Sequence, residues 1–206
     1  ALIVLILSAF KADHVITIYM IGDSTMSNKP LEGNNQERGW GHVLGSFFTE
    51  DVRVENHAMN GRSSKSFIDE GRWKTVVNKI RPGDYVFIQF GHNDEKPQPE
   101  RHTDPGTTFD ENLRKFVRET RAKGGIPVLF NSIVRRNFGV NPDAVAADDI
   151  RPEKDEAVVE GDTLIDTHGK YLESPRNVAK EMDVCFIDLN QATKKLVESY
   201  GVEGSK

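Results

Sequence analysis

Residues 15–21 form a run that is apolar at nearly every position and stops abruptly at Gly22-Asp23-Ser24. Side chains alternate between the two faces of a strand, so a strand apolar throughout must be covered on both faces, as in the middle of a parallel sheet. Residues 84–90, 126–130 and 184–189 repeat this character, whereas residues 52–56 alternate Val with Arg53 and Glu55 and read as an edge strand with one wet face. Between these runs the apolar period changes from two to about 3.6. Trp73, Val76, Val77 and Ile80 recur at helical spacing before Pro82-Gly83, and Phe109, Leu113, Phe116 and Val117 recur before Gly124-Gly125.

Thr108 and Glu111 have the spacing of a capping box for the second of these helices. Ser174-Pro175 reads as the cap and first position of a third helix that turns Val178, Ala179 and Met182 inward. Asn190 starts a fourth, with Ala192, Leu196 and Tyr200 on one face and Gly201 at its end. Alternation of strands and helices, with right-handed crossovers, predicts a three-layer α/β/α sandwich around a five-stranded parallel sheet of the flavodoxin-like type. Residues 138–161 have no clear period and read as a long insertion.

The 206 residues suffice for one domain, and no linker divides them. A net charge of −5, with Lys and Arg scattered, excludes a broad nucleic-acid surface. The apolar stretch at residues 1–9 ends in small residues and is too short to span a bilayer. Residues 1–13 are therefore expected to be the remnant of a secretory signal, giving a secreted or periplasmic protein with no membrane segment in its mature form. The single cysteine, Cys185, lies in a strand-like run and is expected to be a buried apolar residue.

Candidate chemistry sits where strands end, the edge at which open α/β sheets bind ligands. A serine hydroxyl is a poor nucleophile at neutral pH and needs both a base and donors aimed at the oxyanion it creates. Ser24 follows the first strand, although Asp23-Ser24-Thr25 also suits a plain turn. Gly61 follows the second strand, where a residue without Cβ lets a backbone N–H approach a carbonyl. Asn93 follows the third and offers a neutral amide donor. Each also reads alone as an ordinary turn residue. The histidines are dispersed along the sequence without metal-ligand spacing, and no cofactor is expected.

The combination of Ile21-Gly22-Asp23-Ser24-Thr25-Met26, Gly61-Arg62-Ser63-Ser64-Lys65-Ser66-Phe67, Gly71-Arg72-Trp73 and Phe90-Gly91-His92-Asn93-Asp94 resembles the GDSL or SGNH hydrolases, in particular their rhamnogalacturonan acetylesterase branch. The resemblance implies Ser24 as nucleophile, with its own N–H, the Gly61 N–H and the Asn93 side chain as oxyanion donors. It also implies a secreted enzyme that removes O-acetyl groups from a plant cell-wall polysaccharide, its acetylated substrate being the partner. The family's base is a histidine in a D-x-x-H block, and the sequence contains only Asp166-Thr167-His168, with one residue between and on the wrong side of the fifth strand. The block is expected beyond Lys206, leaving His168, His57 and His92 as ordinary loop or pocket residues and the chain as written a poor esterase. A carbohydrate-binding relative without a base, and a lipase or thioesterase, are the alternatives. Arg62, Lys65, Asp94 and Glu95 as polar cleft residues speak against a long acyl chain.

Overall fold

The computed structural model describes residues 15–140 and 161–205, so the expected signal remnant at residues 1–13 and most of the insertion lie outside the described residues. Strands in chain order are β1 (Ile16–Gly22), β2 (Val52–Asn56), β3 (Tyr85–Gln89), β4 (Ile126–Phe130), β5 (Phe138–Gly139), β6 (Thr163–Leu164) and β7 (Cys185–Ile187). The helices are α1 (Trp40–Val43), α2 (Ser64–Asp69), α3 (Arg72–Val77), α4 (Thr108–Ala122), α5 (Glu173–Met182) and α6 (Leu189–Gly204). Five strands make one all-parallel sheet in the order β2-β1-β3-β4-β7, the expected flavodoxin-like winding. β1 lies inside the sheet, with Ile18 opposite both Val54 and Tyr85, and it is buried from Thr17 onward.

The two faces of β1 feed two cores. Tyr19 and Ile21 join Val86, Ile88 and Leu129 beneath Phe67, Trp73, Phe116 and Val178 from the helices. Ile18 and Met20 join Met26 and Ala58 in a smaller cluster, against Trp40, Val54 and Phe87. The larger core is organised by aromatic rings: Phe90 lies 5.4 Å from Phe67 and 5.5 Å from Phe116, which in turn meets Trp73 edge-on at 5.1 Å.

Several local expectations fail for identifiable reasons. The Thr108–Glu111 capping box does not form, because the Thr108 hydroxyl accepts from the Asp104 N–H at 2.7 Å and Glu111 turns to Arg118 at 2.8 Å. A capping box does form at Ser63 and Ser66, opening a short α2 that the sequence reading had not placed. Ser174-Pro175 lies inside the first turn of α5, since a 3₁₀ turn at Gly169–Leu172 leads directly into that helix. β7 is an exposed edge strand, and Cys185 on it is exposed rather than buried.

Leu196 and Tyr200 of α6 are 56 % and 62 % exposed. Helix α6 turns Val197 and Val202 instead toward Val134, Phe138 and Leu164, because the β5–β6 ribbon at the ends of the insertion supplies its partner surface. Gly201 interrupts α6 with φ +65°.

Truncation should discriminate the two kinds of apolar residue. Phe116→Ala, in the fully buried core, is expected to lower unfolding stability by about 3–5 kcal/mol. Tyr200→Ala is expected to change it by no more than about 0.5 kcal/mol. Urea denaturation midpoints of the two variants against the parent check both values.

Candidate active site

The parallel register brings the carboxyl ends of β2, β1 and β3 side by side, and Gly61, Ser24 and Asn93 lie in the loops that leave them. Ser24 stands in a tight turn in which Asp23 Oδ1 accepts from the Thr25 N–H at 2.9 Å and from its hydroxyl at 2.8 Å. The turn is braced from the next strand, as buried Gln89 donates to the Thr25 hydroxyl at 2.8 Å and accepts from Trp40 Nε1 at 2.6 Å. The Ser27 hydroxyl lies 3.2 Å from the Ser24 carbonyl and 2.5 Å from Asn60 Oδ1, which ties the serine turn to the loop carrying Gly61. Gly61 adopts φ +74°, a conformation that favours glycine, and open space lies where a Cβ would stand.

Asn93 is 5 % exposed. Its Nδ2 donates to the Arg62 carbonyl at 3.1 Å and its Oδ1 accepts from Arg101 at 3.5 Å, so both ends of the amide have a neighbour that defines its orientation. One Nδ2 proton is left over. Neither the Ser24 N–H nor the Gly61 N–H makes a hydrogen bond with a described residue. The Ser24 hydroxyl likewise has no partner among the described residues. Three donors and a hydroxyl thus lie uncommitted at three adjoining strand ends.

A buried carboxylate holds this edge together. Asp94 accepts from the Ser64 N–H at 3.0 Å, the Ser64 hydroxyl at 2.5 Å, the Gly91 N–H at 3.1 Å and the Thr103 hydroxyl at 2.9 Å. Gly91 has φ +143° and packs so closely on Ser132 that a Cβ would collide with its hydroxyl. Asp94 and Glu95 are therefore internal, not cleft residues as expected, being 0 % and 8 % exposed. Arg62 and Lys65 do line a cleft of about 300 Å³ beside Gly61, together with Arg101.

His168 is fully buried, with Nδ1 3.1 Å from Glu95 Oε2 and Nε2 3.0 Å from the Ile133 carbonyl. Both ring nitrogens are engaged, away from Ser24. His57 faces Glu55 at 3.3 Å, and burial holds its pKa below the usual histidine value. His92 packs edge-on against the His168 ring at 4.4 Å, so the two histidines that are distant in sequence meet in space, contrary to the dispersed pattern expected.

Together with Glu95 these histidines place three potential ligand atoms within 4.8 Å of one another. Arg135 fills the charge requirement of that cluster: its guanidinium pairs with Glu95 and lies 3.3 Å from His168 Nδ1. A divalent ion would have to share a buried space with that fixed cation, so the donor set does not suit one. The Arg135–Glu95–His168 network escaped the sequence reading because its members come from three separate loops. Arg135 also reaches the His92 carbonyl at 3.3 Å and so braces the Asn93 loop from behind.

The GDSL-like lipase/acylhydrolase family model matches residues 20–201, which include the serine turn, Gly61 and Asn93. The chain belongs to this family. It is a carboxylic ester hydrolase by that membership. It is 40 % identical over 191 residues to the rhamnogalacturonan acetylesterase RhgT of Bacillus subtilis, covering 93 % of this chain and 72 % of that protein. The probable rhamnogalacturonan acetylesterase YesY of the same organism is 40 % identical over 122 residues, 59 % of this chain and 55 % of YesY. Among solved structures, the Bacillus subtilis protein YxiM superposes with a TM-score of 0.72 at 26 % identity, covering 92 % of this chain and 48 % of YxiM. No helix among the described residues is long and apolar enough to cross a membrane.

Two buried carboxyls give the site a measurable pH signature. Burial pushes Asp94 up to about 7 against the pull of its hydrogen bonds, with the charge of Asp23 adding to the rise. Asp23 itself is pushed up to about 6 by burial, its Oδ2 lacking a hydrogen-bond partner among the described residues. A raised carboxyl pKa means that the folded state keeps a proton the unfolded chain has lost, so stability falls as pH rises between the unfolded and folded values. The stability of the parent relative to Asp23→Asn is accordingly expected to fall between about pH 4 and pH 6 and to level off above pH 7, by roughly 3 kcal/mol at most. Urea titrations of both proteins at half-unit steps of pH measure the difference, with Asp94 titrating lower in the variant because the Asp23 charge that raises it is gone.

Proposed function

We propose that the protein is a serine acetylesterase that removes O-acetyl groups from a plant cell-wall polysaccharide such as rhamnogalacturonan. The observation that carries this reading is the set of donors left uncommitted among the described residues, the Ser24 and Gly61 N–H groups and one Asn93 amide proton, on the loops that leave three adjoining strands together with the Ser24 hydroxyl. The names of RhgT and YesY support the acetyl group and the polysaccharide.

Chemically, Ser24 Oγ forms a bond to the acetyl carbonyl carbon while its proton passes to a base. The negative charge that develops on the carbonyl oxygen is received by the three donors, which are in place before it appears. Collapse of the tetrahedral intermediate breaks the bond to the sugar oxygen, which leaves with a proton. Water then attacks the acetyl-serine, releasing acetate and restoring Ser24. Among the described residues none hydrogen-bonds the Ser24 hydroxyl, and no base is assigned from them.

Acetate release from acetylated rhamnogalacturonan tests this reading. Ser24→Ala is expected to abolish release while leaving the unfolding midpoint unchanged, and retention of near-parental activity would refute the nucleophile. Asn93→Ala is expected to lower kcat by about 10²–10³ with little change in KM, because the oxyanion exists only after attack. Absence of acetate release by the parent would refute the acetylated polysaccharide as its substrate.

A further inference from the structure

Arg135 stands in the loop between β4 and β5, and its side chain turns inward, being only 9 % exposed. The two terminal nitrogens of its guanidinium serve different segments. Nη2 donates to the His92 carbonyl at 3.3 Å and pairs with Glu95. Nη1 donates to the Thr167 hydroxyl at 3.2 Å, in the loop that leads toward α5. His92 precedes Asn93 and Glu95 follows it by two, so one nitrogen grips the turn on both sides of the residue that carries the amide.

The turn also has bonds of its own, from the Glu95 N–H to the Gly91 carbonyl at 3.1 Å and from the Lys96 N–H to the Asn93 carbonyl at 3.3 Å. Those bonds shape it from within, whereas Arg135 holds one of its peptide planes from outside. The His92 carbonyl belongs to the same planar unit as the Asn93 nitrogen, so a donor fixed on that oxygen limits rotation of the plane and sets the direction in which the Asn93 side chain leaves the backbone. At the far end of that side chain, Nδ2 donates one proton to the Arg62 carbonyl at 3.1 Å. With the backbone plane and one amide proton both held, the direction of the second proton is determined.

We infer that Arg135 is a positioning residue for ester hydrolysis, acting through Asn93 rather than on the substrate, and that its planar fork keeps the second Asn93 amide proton aimed where the oxyanion forms. This rests on the acetylesterase reading and deepens it. Stability alone gives little reason for such a device, because a buried ion pair is often matched or bettered by apolar residues of the same volume. Orientation does give a reason. A guanidinium presents donors in a rigid plane and can hold two loops at once, which the single ammonium of a lysine does not reproduce. Glu95, 3 % exposed in its side chain, balances the buried charge from within the turn itself, so the cation and its partner clamp the turn as one unit.

Two variants test this without stranding a buried charge. Arg135→Lys keeps the charge opposite Glu95 and removes the fork, and Arg135→Gln combined with Glu95→Gln removes both charges together. On acetylated rhamnogalacturonan each is expected to lower kcat by about 10-fold or more while KM changes by less than about 2-fold. In an Asn93→Ala background the same substitutions are expected to change kcat by less than about 2-fold, because a residue that acts only through the Asn93 amide has nothing left to position. A merely structural role lowers activity by the same factor in both backgrounds, and that result overturns the inference. So does an unchanged kcat in a variant shown to be folded by thermal unfolding. A second readout needs no turnover. The side-chain NH₂ signals of Asn93, assigned in a nitrogen–proton correlation spectrum by their loss in Asn93→Ala, are expected to move in Arg135→Lys toward the positions of freely rotating asparagine amides. Unmoved signals in folded Arg135→Lys overturn the inference whether or not acetate is released, whereas moved signals in a protein whose parent releases no acetate refute only the esterase reading.

Discussion

Asp94 is the interaction on which the rest of the site depends. Its carboxyl gathers donors from the start of α2, the exit of β3 and the loop before α4, and so ties three segments to one point. Ser64 stands three residues after Gly61, and Asp94 directly follows Asn93, so the same hydrogen bonds that bury the carboxyl set the spacing between two of the strand-end loops. Asn112 extends the arrangement by donating to the Ser64 hydroxyl at 3.0 Å from within α4. The sheet supplies the approximate placement of each loop, and this buried node reduces the remaining freedom.

Behind the node lies a second polar layer of unusual composition. Arg135, Glu95 and His168 are each nearly or wholly buried and mutually paired, a condition under which removal of one partner strands the charge of another. The layer faces the reverse side of the loop that carries Asn93. A loop fixed on one side by Asp94 and on the other by a closed charge network has little room to reorient its amide. Rigid placement of that kind is what a pre-organised donor array requires.

The sequence reading succeeded where the signal was periodic or terminal. The β1 run from Thr17 to Ile21, the Phe109–Leu113–Phe116–Val117 stripe and the alternation in β2 each state their burial directly, and the strand order follows from the connections they permit. It failed where tertiary partners decide. Thr108 has the right spacing for a cap, but Asp104 takes its hydroxyl first. Leu196 and Tyr200 look like an inward face, yet α6 is oriented by its contact with the β5–β6 ribbon and not by the sheet. Asp94 and Glu95 look like surface acids until three separate loops bring donors and cations around them.

The central position of β1 has a consequence for how the protein is made. Ile18 pairs with Val54 on one side and Tyr85 on the other, so the strand that leads to Ser24 is translated before either of its sheet neighbours and waits longest for β3. At about 5–20 residues per second, roughly 3–13 s of synthesis separate Ile18 from Tyr85. Throughout that interval an apolar strand with an open hydrogen-bonding edge sits on the nascent chain, the form of polypeptide most prone to pair with the wrong neighbour. The location that makes the serine turn so firmly held in the finished molecule makes its strand the one most in need of protection at the ribosome.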